Sequence, residues 1–557
     1  MRRRLGLGEP GIPAVADSRL DGYPQTTIAA ATLALVLCVA AALLMYLGRG
    51  VIFFHDDWNI VFSRRSWTLD SFLMPHNEHL WLATIVLYKA FFVFDSGANY
   101  WIVRLVAVAI HCGIVALLFV LSRRRVGSIG ALMIAVLFLF LGSGYIEFMW
   151  PFQIAILVSL LGALLAMIGL DMGSRRGDRL TLVGLLLALN CTYGVPIVIG
   201  VAGEMLVRKI VKQKKWIVVI PTALYASWFA TYGTSGDASV AHPLRSIAYA
   251  INMAVSACAG AVGLGQSGGR LVLAALAVAL VVRFQGIDRK RQARAVMSVL
   301  FLLAFWGLAG ISRSQLPGTY ADPKYVYPSV LFLLILGIQL FSPPRAVSLP
   351  HAQQGVIVVI VLSVFCFALT RNIRDLRNGA QWMRDSSSVL AGELASLESA
   401  RAEVKIDPFF VPDPVNAPQL RAGDYFDAIR HIRSPAFKPN SLNGASPEVK
   451  AAADRIRAEV LAPNHFLSTA DQAELVSLDH VFESYCAAPA AHRKSEVHAS
   501  VLRLIEMHQA HPNALARGPL FAGQSISQIS AEVEGLLNLN GCDPQLAAEL
   551  GAAAASG

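Results

Sequence analysis

Apolar runs about as long as a bilayer is thick recur along this chain from Ile28 to about residue 370. A run of about 20 apolar residues crosses the hydrocarbon core as a helix. Lipid offers no hydrogen bonds, so each backbone N–H and C=O must find its partner inside the protein. Closed barrels meet that demand with short alternating segments, which these runs are not. The expectation is an all-α polytopic membrane protein. Spans are read at 28–48, 100–121, 128–147, 152–170, 180–191, 193–207, 216–232, 270–284, 295–311, 325–341 and 355–370, about 11 transmembrane helices. The pair 180–191 and 193–207 is short and broken at Asn190-Cys191-Thr192-Tyr193-Gly194, as a hairpin turning at one surface would be.

Charge sets the orientation. Loops assigned to one side carry 21 Lys and Arg, and loops on the other carry 7. By the positive-inside rule the basic side is cytoplasmic. Residues 1–27, beginning MRRR, then form a cytoplasmic N-terminal tail, and 28–48 acts as an uncleaved signal anchor. Residues 28–370 form the membrane domain, with a first outer loop at 49–99. Two further apolar stretches, 80–94 and 246–266, rest at the outer face without crossing, since a crossing would turn later basic loops outward. The net charge of +10 resides mainly on the cytoplasmic loops. No basic-aromatic module accompanies it, so no nucleic acid partner is expected. The localisation read from this is the plasma (inner) membrane, contacting membrane lipids.

Beyond Thr370 the composition turns mixed and charged, and 371–557 reads as a mostly helical extracytoplasmic domain. Leu390, Leu394 and Leu397 share a helix face, and Ser446-Pro447-Glu448 is a helix start. Leu475, Leu478, Phe482 and Tyr485 form another stripe, and so do Val497, Val501, Leu504 and His508. DPFFVPDPVNAP at 407–418 reads as a proline-rich connector. Cys486 and Cys542 share this external region, where a disulfide between them is allowed. No catalytic motif stands out in the tail.

Polar residues crowd the outer span ends. The first loop carries His55, Asp56 and Asp57, then a second knot of His76, Glu78 and His79. Glu147, Trp150, Gln153, Asn190 and Tyr193 follow, then Arg313, Asp322, Lys324 and Tyr325. Arg104 lies inside a span, where a charge faces a cavity or snorkels. A carboxylate such as Asp56 or Asp57 can take a proton from an acceptor hydroxyl, with Glu78 and His79 assisting. Adjacent carboxylates can also hold a divalent metal, Mg or Mn. Arg313 and Lys324 suit a phosphate, and His55, His76, Arg104 and Tyr325 complete a substrate-binding set. Simpler readings stand beside these. An Asp-Asp pair also fits a solvated turn, His76 and His79 a helix entry, Arg313 and Lys324 lipid headgroups, and Arg104 a snorkelling anchor.

The run HDDW, then PHNEHLWLATIVLYKAFFVFDSGANYWIVRLVAVAIHCGIVALLFVLSRRRVG at 75–127, resembles the GT-C superfamily of membrane glycosyltransferases. LLLALNCTYGVPIVIGVAGEML at 185–206 and ADPKYVYPSVLFLL at 321–334 look similar too. The resemblance covers roughly 28–370. It implies a GT-C-like fold and transfer of a sugar from a polyprenyl-phosphate-linked donor to a cell-envelope glycan, lipid or protein acceptor. It also implies Asp56 and Asp57 as base or metal ligands. Two other classes remain open at this point. One is a transporter or lipid flippase, and the other is a non-catalytic envelope-assembly protein.

Overall fold

The computed structural model describes residues 23–76, 79–97, 99–233, 243–314, 318–341, 351–408 and 410–461. Among these residues the regular structure is helical and no strand is present. The expected stripes beyond residue 461, Glu78, and the Cys486–Cys542 pair lie outside the described residues.

The chain begins with α1 (Tyr23–Leu47). The first loop folds into α2 (Asp57–Ser63), α3 (Leu69–Leu73) and α4 (Leu82–Asp95). Next comes α5 (Trp101–Leu139), really two helices meeting at Gly127, whose φ of 76° and ψ of 169° only glycine adopts without strain. A short α6 (Tyr145–Met149) turns the chain into α7 (Ile154–Met172), α8 (Arg175–Ala188) and α9 (Gly194–Val207). Then follow α10 (Val211–Lys214), α11 (Trp216–Tyr232), α12 (Pro243–Val262), α13 (Gln266–Arg283), α14 (Arg289–Arg313) and α15 (Pro323–Leu340). The long α16 (His351–Ala400) leads to α17 (Ala422–Ala428), α18 (Pro439–Asn443) and α19 (Pro447–Leu461).

Seven helices are long and apolar enough to cross a membrane: Gln25–Leu47, Trp101–Leu139, Pro151–Met172, Gln266–Gly286, Arg289–Arg313, Pro323–Leu340 and Gly355–Ala400. Gly194–Val207 and Trp216–Tyr232 are apolar but shorter. The expected count of about eleven is therefore not reached on length and composition. The difference has a local cause. The expected span 128–147 is the far part of α5, ended at Leu139 by the turns that build α6. The expected 180–191 is α8, whose first turn carries Arg175, Arg176 and Asp178.

Apolar association gains little inside lipid, so helices there pack through close backbone approach. One such contact is α7 against α8. A methyl group added at Gly162 would sit 2.4 Å from the Gly184 carbonyl oxygen. The segments Pro151–Met172 and Pro323–Leu340 are the most enclosed, whereas α13 and the apolar stretch of α16 leave nearly all of theirs for lipid. Helix α12 does not run along the bundle. It touches Gly310 and Ser314 of α14, then Thr319, Val326 and finally Arg371 of α16. It thus meets the ends of several long helices on one side.

Four helices carry polar residues at both ends. On α7 these are Gln153 just before the helix and Asp171, on α14 Arg313 and Arg294, on α9 Tyr193 and Arg208, and on α15 Lys324 and Gln339. At 1.5 Å per residue the first two pairs are separated by about 27–28 Å, close to the thickness of a hydrocarbon core. One end of this bundle holds the cavity described next.

Helix α16 continues past Thr370 without a break. Fifty residues make a rod of about 75 Å, far longer than a membrane crossing. Its second half lies on the cavity side, where Leu390, Leu394 and Leu397 are buried against α19. That helix starts at Pro447 as the sequence indicates, with Ser446 Oγ accepting from Val449 N at 3.4 Å.

Candidate active site

The first loop is pinned at Asp57. Its carboxylate is fully buried and accepts four hydrogen bonds. Oδ2 takes Phe54 N at 2.9 Å, Tyr100 Oη at 2.6 Å and Trp150 Nε1 at 3.1 Å, and Oδ1 takes Tyr88 Oη at 2.5 Å. These donors come from the loop itself, α4, the residue that caps α5, and the turn after α6. One carboxylate thus fastens four segments. Burial pushes its pKa up to about 6, against the pull of those donors.

Because Asp57 points inward, its neighbour Asp56 points the other way, from the N-cap of α2. Asp56 Oδ2 lies 3.5 Å from His76 Nε2, and Oδ1 accepts from Gln419 Nε2 at 3.4 Å. Both contacts are long, and the side chain keeps 27% exposure. Burial alone would raise its pKa. The hydrogen bond and charge of His76, helped by Gln419 and His55, outweigh that and hold it below the usual carboxylate range. Asp56 is therefore ionised at neutral pH.

His55 has a positive φ of 43°, a conformation that disfavours side chains. The tail holds it there, since His55 N donates to Asn416 O at 2.9 Å. Asn416 is itself fixed by an Asx turn in which Asp413 Oδ1 accepts from Val415 N and Asn416 N. The His55 ring lies edge-on to Phe54 at 4.3 Å, and burial lowers its pKa. It is a neutral imidazole at pH 7.

His76 and His79 exchange both backbone hydrogen bonds, at 2.9 and 3.0 Å, and so face each other. His76 packs edge-on to Phe152 at 5.0 Å, and Trp81 stacks on the same ring. Trp81 Nε1 donates to Phe152 O at 2.9 Å. The broken hairpin joins here through Asn190, whose carbonyl accepts from Leu82 N and whose amide donates to Ala155 O at 3.0 Å.

These elements enclose a cavity of about 450 Å³, within the range of small-molecule sites. His55, Asp56, His76, His79, Arg313, Lys324 and Tyr325 all line it, so seven of the expected site residues meet at one place. Arg313 arrives from the end of α14, while Lys324 and Tyr325 open α15. Lys324 Nζ is 3.8 Å from Asp322 Oδ2 and 5.3 Å from the Tyr325 ring centre. Phe54, Trp81, Trp150, Phe152, Tyr193 and Trp382 make much of the remaining wall aromatic. Gln153 also lines it, and its buried Oε1 has no partner among the described residues.

Two expected residues lie elsewhere. Asp57 is inside its cage. Arg104 is buried on α5 one turn beyond Tyr100, packed on Gly48, where an added methyl would meet its Cδ at 2.9 Å. Glu147 is not on the cavity lining, but it sits beneath it, fully buried, with neither oxygen hydrogen-bonded among the described residues. Burial pushes its pKa well above the usual carboxylate range, against the opposing charge of Lys324.

A metal ion chelated jointly by Asp56 and Asp57 does not fit this arrangement, because both Asp57 oxygens are turned away and already accept four donors. Among the described residues no group of three or more His, Cys, Asp or Glu is placed to hold a metal ion. Sequence reasoning missed Trp382, Asp413, Asn416 and Gln419. The Asp413-Pro414-Val415-Asn416 turn was readable, but its return to His55 was not. Comparison with family profiles, curated proteins and solved structures finds no match to this chain.

Proposed function

We propose that this chain is a GT-C-like glycosyltransferase of the plasma membrane. It moves a sugar from a polyprenyl-phosphate donor to a cell-envelope acceptor, with the cavity and tail at the outer face. The observation that carries this reading is the shared cavity. An ionised carboxylate, Asp56, and two cations, Arg313 and Lys324, line one aromatic-walled space at the end of a membrane bundle.

In this reading Arg313 and Lys324 hold the donor phosphate, and Arg grips it through two parallel N–H bonds. Aromatic rings such as Trp150 and Phe152 take the faces of the sugar. The acceptor oxygen attacks the anomeric carbon, and a new C–O bond forms. The bond from that carbon to the phosphate oxygen breaks, its electron pair leaving with the phosphate. The acceptor proton passes to Asp56. Because Asp56 is ionised when the donor binds, it also places negative charge where the sugar becomes cationic. Asp57 is a positioning residue that fixes the loop and so aims Asp56. His55 lines the space beside Asp56, and Gln419 steadies Asp56 through its hydrogen bond to Oδ1.

The test is transfer of isotope-labelled sugar from polyprenyl phosphate in membranes, with wild type and Asp56→Asn at matched protein levels. Wild-type transfer with a variant about 10²–10⁴-fold slower is the expected result. Equal transfer by both removes the chemical role of the loop. A lipid-linked sugar profile unchanged by deleting the protein points to a non-catalytic role.

A further inference from the structure

At the other end of the same bundle, away from the cavity, a second charged cluster is built from α7, α9 and α14. Arg294 is buried and fully paired. Its Nε donates to Glu204 Oε2 at 2.7 Å, and its Nη2 to Met167 O at 3.0 Å and Asp171 Oδ1 at 3.1 Å. Arg208 joins both carboxylates, at 2.7 Å from Asp171 Oδ1 and 2.5 Å from Glu204 Oε1. Its Nη1 donates to Leu170 O at 3.0 Å. This network accounts for Arg294 and for both acids.

It does not account for the rest of the cleft. The Arg208 side chain is only 10% exposed, yet its buried Nε has no partner among the described residues. Arg125 of α5 and Lys290 of α14 line the same cleft, Arg125 near enough to act on Asp171 through its charge. Four cations therefore face two carboxylates. Lys290 stands between Arg289 and Arg291 in the first turn of α14, where the helix dipole favours acids over bases. Helix stability does not explain three cations there. Asp288 already caps the backbone, accepting from Lys290 N and Arg291 N, so an incoming anion meets side chains. The remaining wall is apolar, with Leu118 and Leu121 of α5 and Ile335 and Ile338 of α15.

Basic residues are expected at a cytoplasmic end, but their gathering in one cleft around the partnerless Arg208 Nε, beside an apolar wall, suits an anionic lipid. We propose that this cleft binds the phosphate of an anionic phospholipid, with Arg125, Lys290 and Arg208 Nε around the phosphate and an acyl chain along Leu118, Leu121, Ile335 and Ile338. The enclosed space is about 20 Å³, room for one water-sized group. One phosphate oxygen enters, and the headgroup caps the mouth. Basic pockets between membrane helices hold such headgroups elsewhere. The inference does not depend on what the cavity at the other end catalyses.

The experiment uses the full-length protein in detergent, read by native mass spectrometry and thermal unfolding. Phosphatidylglycerol, phosphatidylcholine and inorganic phosphate are added separately to wild type and to Arg125→Gln/Lys290→Gln. Both substitutions lie outside the buried network, so the variant is expected to fold. The expected result is phosphatidylglycerol retained by wild type with a raised Tm. The double variant, stripped of two cationic side chains, should retain it about 30-fold more weakly. Phosphatidylcholine and inorganic phosphate are expected to leave Tm unchanged. Equal retention by wild type and variant, or equal effects of both lipids, overturns the site. A Tm rise with inorganic phosphate that matches phosphatidylglycerol assigns a free anion and overturns the lipid.

Discussion

Adjacent aspartates with opposite environments should respond oppositely to mutation. Asp57→Ala removes the acceptor of four donors. Tyr88 and Tyr100 hydroxyls lie 3.5 Å apart and can turn toward each other. Phe54 N–H and the Trp150 indole N–H then remain without partners. Each orphaned buried donor costs about 1–3 kcal/mol, and the lost volume adds to that. The total is about 3–6 kcal/mol, a large part of the roughly 5–15 kcal/mol that typically separates folded from unfolded. Asp57→Asn is milder. Its oxygen can keep the three donors now on Oδ2, while its amide donates to a rotated Tyr88 hydroxyl. Asp56→Asn strands no buried donor and should leave stability within about 0.5 kcal/mol. It removes the proton acceptor, for a loss of about 10²–10⁴ in transfer. Thermal unfolding of detergent-purified variants and transfer in membranes read the two effects separately. If Asp57→Ala unfolds like wild type, the cage has no energetic role and the argument fails. If Asp56→Asn transfers sugar normally, the cavity carboxylate is not the base.

Three further outcomes follow from the same geometry. The folded pKa of Asp57, about 6, lies above its ordinary value of 3.8, so its contribution to stability is full below pH 3.8 and is lost as pH rises through 6. That change is at most about 3 kcal/mol, and the stability difference between wild type and Asp57→Asn should follow it as pH rises from 3.8 through about 6, whereas a flat difference over that window contradicts the shift. Arg313→Gln and Lys324→Gln should raise the apparent KM for the lipid donor more than they lower kcat, and a pure kcat loss would deny them phosphate binding. Reporter fusions after Arg125 and Lys215 should read cytoplasmic and a fusion after Leu461 external, while the reverse pattern would turn the cavity inward.

The site was legible where chemistry and location coincide. Ionisable residues are rare in so apolar a chain, and their place at span ends singled out Asp56, His76, Arg313 and Lys324 before any geometry. Local patterns also served: the Leu390, Leu394 and Leu397 face and the start at Pro447 are where the sequence puts them. What stayed hidden depends on how distant segments meet. Nothing in HDDW says which aspartate faces the cavity, since that is set by Tyr88, Tyr100 and Trp150. The connector at 407–418 shows a turn but not its docking on His55. Arg294 reads as one more basic loop residue, and only the fold brings Glu204 and Asp171 to it. Apolar content also does not reveal where a helix breaks off, as α5 does at Leu139, so seven helices rather than about eleven meet the length and composition of a span among the described residues.

The unbroken length of α16 has a mechanical consequence. Residues 356–367 are largely apolar and exposed, whereas the upper half of the same helix is packed against α12, α5, α6 and α19. A helix without a hinge carries the same angle to its upper half. Trp382 stands on that half, about 39 Å along the axis from Val356. A tilt of about 5° would swing the tryptophan by roughly 3 Å. Trp382 is part of the cavity wall, and the α19 layer rides on the same rod. Any change of angle in the exposed half would therefore be felt at the cavity wall over Asp56, like a hand on the long arm of a lever.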